Sequence, residues 1–144
     1  MSVARMLTGG AAALALLALA AGCQRPAALH PVSGKVTYKG AALNNGVVVF
    51  TPDPTRGESG PVALGTIRED GTYSLSTGEA SGASAGWYRV SVAAFTSPAP
   101  KNQPPDRFQT PLPLLPEKYR DPELSLLRCT VKPNQRNTIN LELE

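Results

Sequence analysis

The chain has 144 residues, enough for one domain and too few for two, with 42% hydrophobic residues and a net charge of +3. All 14 prolines fall at or after Pro26 and only 17% of residues are charged, which argues against a helical bundle, because proline costs roughly 3 kcal/mol in a helix interior. One His and two Cys supply little material for a metal or hydrolytic centre, and no cluster of Lys and Arg offers the footprint of nucleic-acid binding.

In chain order, residues 1–22 read as a secretory signal peptide. Arg5 supplies a positive start, and Ala11 to Ala21 is an uninterrupted apolar run. At ~1.5 Å per helical residue that run is too short to cross a hydrocarbon core of ~30 Å. It ends in LAAGC, which resembles the lipobox of bacterial lipoproteins. Small residues at Ala21 and Gly22 let a peptidase approach the backbone, although Ala20 stands where Leu is usual. The resemblance implies that the Cys23 thiol receives diacylglycerol, that palmitate-type acyl chains anchor the protein to a membrane, and that Cys23 becomes the new N-terminus. Gln24, rather than Asp, then favours the outer membrane over the inner. Two or three acyl chains hold stably where one is marginal. With Cys23 acylated, Cys129 has no intrachain partner, and its place in LLRCTV predicts a buried small hydrophobe.

Residues 23–30 form the lipidated tether, which contains the one histidine, His30. From 31 onward the period becomes two. Val32, Gly34, Val36 and Tyr38 share a face. Asn44-Asn45-Gly46 is a turn, and Val47 to Phe50 reads as a buried strand. A loop at 53–60 is followed by a strand at 62–67. Glu69-Asp70-Gly71 predicts a hairpin leading into 72–77, with Tyr73 and Leu75 inward. Residues 78–86 (GEASGASAG) read as loop. Trp87 to Phe95 is the clearest strand, with Tyr88, Val90 and Val92 inward and Trp87, Arg89 and Ser91 facing solvent. Seven prolines within 97–116 predict an extended Pro-rich loop. Strands follow at 124–131 and 138–143, with Ile139, Leu141 and Leu143 inward. The expected core is Val36, Val48, Phe50, Tyr73, Leu75, Tyr88, Val90, Val92, Leu141 and Leu143. About seven short strands with frequent turns indicate an all-β chain, a single antiparallel β-sandwich spanning 31–144.

The ordered segments VSGKVTYKGAALNNGVVVFTP, DGTYSLST and GWYRVSV resemble the transthyretin-like or carboxypeptidase regulatory-like β-sandwich. The later LLPEKYRDPELSLLRCTVKPNQRNTINLEL is similar to the C-terminal half of small bacterial lipoproteins carrying that domain. The resemblance implies no catalytic activity, cofactor or metal. Gly34 is expected to permit close backbone approach. The expected function is that of a non-catalytic, lipid-anchored cell-envelope protein with a structural or binding role, its domain facing the periplasm or exterior. Its expected partners are the membrane, through the acyl chains on Cys23, and an envelope protein or glycan. The alternative is a ligand-binding module for carbohydrate, peptide or a small hydrophobic molecule, with Trp87, Tyr88 and Phe95 as its candidate aromatic platform. Lys35 and Asn140 sit where some surface sandwiches form an isopeptide crosslink, but both alternate with the inward rows and are expected to face solvent.

Overall fold

In the computed structural model, which describes residues 27–96 and 111–144, the period-two segments form short strands. The expected signal peptide at 1–22, the acylated Cys23 and residues 97–110 of the Pro-rich stretch lie outside the described residues.

The strands in chain order are β1 (Leu29–His30), β2 (Val32–Tyr38), β3 (Ala41–Ala42), β4 (Val47–Pro52) and β5 (Ala63–Thr66). They continue with β6 (Thr72–Ser74), β7 (Ser76–Thr77), β8 (Ala80–Ser81), β9 (Ala83–Ser84) and β10 (Gly86–Ala93). The last three are β11 (Leu127–Val131), β12 (Asn137–Thr138) and β13 (Leu141–Leu143). One sheet runs β11-β10-β4-β5-β7-β8. A second is built on β2, which pairs with β3, β6, β12 and β13. β1 and β9 form a separate small pair.

The two larger sheets share one core. All ten residues expected there are buried, and Leu43, Ile67, Leu115, Tyr119 and Val131 join them. Alternation on β10 and β4 does the sorting: Val90 faces Phe50 and Val92 faces Val48 across the pair, all fully buried. Phe50 packs its ring between Tyr73 and Tyr88, with centroids 6.3 and 5.8 Å away. Each tyrosine keeps its polar tip bonded. The Tyr73 hydroxyl donates to the Ile139 carbonyl at 2.6 Å, and the Tyr88 hydroxyl donates to the Ser84 carbonyl at 3.0 Å.

Several expectations need correction. The turn at 69–71 forms, with the Gly71 N–H on the Arg68 carbonyl and the Arg68 N–H on the Thr72 carbonyl, both at 2.9 Å. It does not close a simple hairpin. β6 pairs with β2, and only β7 returns to β5, so residues 72–77 carry the chain from one sheet to the other. Tyr73 and Leu75 both need burial, and a segment passing between sheets buries both. The expected loop at 78–86 contains β8 and β9, because its Ala, Ser and Gly side chains allow backbones to approach. The antiparallel expectation fails at β12 and β13, which run parallel to β2. Alternation assigns a face and says nothing about direction. Val47 to Phe50 is buried on one side only, since Val47 is exposed. The strand expected from 124 begins at Leu127, and Leu124 and Leu126 are exposed.

Both ends of the connecting stretches are more ordered than expected. His30 belongs to β1 rather than to a free tether and is buried. The last part of the Pro-rich stretch returns along β10's continuation: the Thr96 N–H bonds the Leu112 carbonyl at 2.8 Å, and the Leu114 N–H bonds the Ala94 carbonyl at 2.9 Å.

Candidate functional site

The outward face of β10 holds the main departure from the sequence reading. Arg89 was expected in solvent, yet it is 6% exposed. Two connections cover it. After β4, Asp53 caps a short 3-10 turn at Pro54–Arg56, its carboxylate accepting from the Thr55 N–H at 3.0 Å and the Thr55 hydroxyl at 2.6 Å. On the other side, Ser125 donates its hydroxyl to the Val90 carbonyl at 2.5 Å and draws residues 121–126 across the sheet.

Between these covers each nitrogen of the guanidinium has a partner. Arg89 Nε donates to Asp53 Oδ1 at 2.9 Å, Nη2 donates to Thr55 Oγ1 at 3.3 Å, and Nη1 pairs with the carboxylate of Glu123. The bond from the Thr55 hydroxyl, foremost, holds the Asp53 carboxyl below the usual aspartate range. The Thr55 N–H and the Arg89 charge add to this, against the opposing effect of burial. Through these three contacts the cluster fastens two loops to a sheet. The sequence carried a signal for it: Asp-Pro-Thr is a cap followed by proline at the first turn position, and an arginine is the one charged residue of the strand Gly86–Ala93.

Beside this cluster Trp87 is 39% exposed, as its alternation with Tyr88 predicts. The Arg56 guanidinium lies 3.9 Å above the ring centroid, a cation–π geometry. Glu58 accepts from the Trp87 backbone N–H at 3.2 Å. Phe95 is exposed near the far end of the same strand, and Tyr88 is in the core, so the three aromatics do not form one platform.

A shallow depression of about 290 Å³ opens near the start of β2, lined by Val32, Ser33, Ser74, Leu75, Ser81 and Arg136 among others. Next to it, His30 Nδ1 accepts from the Asn134 N–H at 3.2 Å, so the one histidine ties β1 to the connection before β12. Among the described residues no group of three or more His, Cys, Asp or Glu is placed to hold a metal ion. Cys129 is partly buried, and burial pushes its thiol up to about 12, far from a reactive thiolate at neutral pH. The Lys35 and Asn140 side chains are not brought into a buried site. Both residues are exposed, and the Lys35 backbone N–H bonds Asn140 Oδ1 at 3.0 Å.

No protein-family model, no curated protein and no solved structure matches the chain.

Proposed function

We propose that the protein is a non-catalytic, lipid-anchored component of the cell envelope, held by acyl chains on Cys23, with a structural or binding role for its β-rich body. The observation that carries this reading is the apolar run closed by LAAGC, followed by five residues before the first strand at Leu29. The body supports a structural role: its most elaborate polar cluster, around Arg89, is committed to loops of the same chain. In the same reading the two larger sheets are the faces of one β-sandwich of transthyretin-like or carboxypeptidase regulatory-like type. Residues 1–22 are the signal peptide, and Gln24 favours the outer membrane.

Replacement of the anchor tests this directly. In fractionated cells the Cys23→Ser protein is expected in the soluble fraction, while the parent remains with membranes. A variant that still sediments wholly with membranes contradicts the anchor. A second reading, a ligand-binding module, rests on the half-exposed Trp87 with Arg56 stacked on it. Trp87→Ala abolishing capture of an envelope glycan or protein would favour that reading.

A further inference from the structure

The tether joins the body at one end, and the groups gathered there share a chemistry. β1 pairs with β9 just before β10 begins. β4 and β11 finish at the same end, since Pro52 lies opposite Tyr88 and Val131 lies opposite Gly86. The connections after β4 and β11 therefore flank the point where the tether arrives. The second is bonded to it. Besides the Asn134 bond to His30, the Asn137 N–H donates to the Pro31 carbonyl at 2.8 Å. Asn137 also closes the turn from within, accepting from the Lys132 N–H at 2.8 Å and donating to the Lys132 carbonyl at 3.0 Å. That rigid turn presents Lys132 and Arg136, both exposed.

On the other connection Arg56 is exposed and stacked on Trp87. The acids nearby are Asp53, paired with Arg89, Glu58, whose carboxylate accepts from the Trp87 N–H, and Glu79 on the β7–β8 turn. The opposite end carries Glu69, Asp70, Glu117, Glu142 and Glu144 against Lys39, Arg68, Lys118 and Arg120. With Asp53 and Arg89 paired, Arg56, Lys132 and Arg136 outnumber Glu58 and Glu79 by one at the tether end, and acids outnumber cations by one at the far end.

Cys23 and Ala27 are four residues apart, a reach of about 14 Å when fully extended. Resting on the lipid-anchor reading, we infer that the tether end of the body docks on the surface of an anionic bilayer. Lys132, Arg136 and Arg56 engage headgroup phosphates, and Trp87 lies at the level of the headgroups. Guanidinium groups match phosphate oxygens in bidentate fashion, and tryptophan favours the membrane–water interface. The short tether keeps this end close to the membrane, and the charges select which face turns toward it.

Trp87 is the one tryptophan of the chain and so reports its own position. The protein extracted from membranes is reconstituted into vesicles of phosphatidylcholine and phosphatidylglycerol, floated on a density gradient, and its emission read with a spin label placed either on the headgroup or at the acyl-chain end. The expected result is flotation with strong quenching by the headgroup label and weak quenching by the deep one. Removing both cations in Lys132→Gln/Arg136→Gln weakens the docked orientation about twenty-five-fold, taking about fivefold per cation near an anionic surface. High salt has the same effect, whereas Lys132→Arg retains quenching. Circular dichroism matching the parent confirms that each variant is folded. Protein that floats with Trp87 unquenched, or quenching untouched by the double variant, overturns the docking surface and leaves the anchor standing. Protein that fails to float overturns the anchor, and the docking surface with it.

Discussion

Arg89 and Val90 are neighbours in β10, and both are buried for opposite reasons. Val90 fills space between the sheets, so Val90→Ala is expected to cost about 1.5–3 kcal/mol from lost apolar burial and the cavity left behind. Arg89 neutralises Asp53 beneath two loops, and Arg89→Ala strands that carboxylate without its cation. In urea melts Arg89→Ala should therefore destabilise at least as much as Val90→Ala. Replacing the buried pair, Arg89→Met with Asp53→Leu, should recover part of the loss, because Glu123 is exposed and returns to solvent. A melt of Arg89→Ala indistinguishable from the parent would mean that the cluster contributes nothing. Cys129 gives a residue-scale pH effect. Burial raises its thiol from an ordinary 9.0 to about 12, and burial also raises Tyr73 and Tyr88 above their ordinary 10.0. The folded state holds these protons more tightly than the unfolded state. The contribution of these groups to stability is thus complete below pH 9 and declines as pH rises from 9 toward 12. Cys129→Ala should remove the earliest part of that decline and leave the tyrosine part, visible in chemical melts taken across that range.

At the scale of elements, Gly34 decides how β2 meets the segment between β12 and β13. A Cβ at position 34 would sit 1.8 Å from the Ile139 carbonyl oxygen and 3.0 Å from the Tyr73 ring. That oxygen also accepts the Tyr73 hydroxyl, so neither neighbour can retreat without breaking a bond. Gly34→Ala is expected to cost about 3 kcal/mol or more, read as a lowered urea midpoint with an unchanged slope. The need for closeness at Gly34 was legible from a glycine on the inward row, but its neighbour was not, because β12 and β13 join β2 from about a hundred residues away in parallel. The same limit explains the misread hairpin at 69–71. Local turn chemistry was correct there, and pairing was decided by two sheets competing for Tyr73 and Leu75. Inward rows, by contrast, were readable because a period of two is a local property of the strand. Arg89 lay on the outward row as expected; what sequence alternation could not supply was the pair of loops covering it.

For the whole molecule, the proposed function joins a leader read only from sequence to a body whose polar groups mostly serve its own fold. The tether reaches the body beside His30, and the cations of that end lie around it, so anchor and orientation are coupled in the proposal. The most direct measurement is intact and N-terminal-peptide mass spectrometry of the protein extracted from membranes. The account predicts a chain beginning at Cys23 and carrying the mass of diacylglyceryl, with or without a further acyl chain. The remainder should match the unmodified sequence, with no loss of ammonia from a bond between Lys35 and Asn140. A chain that retains residues 1–22, or one that begins near residue 23 with an unmodified cysteine, would contradict it.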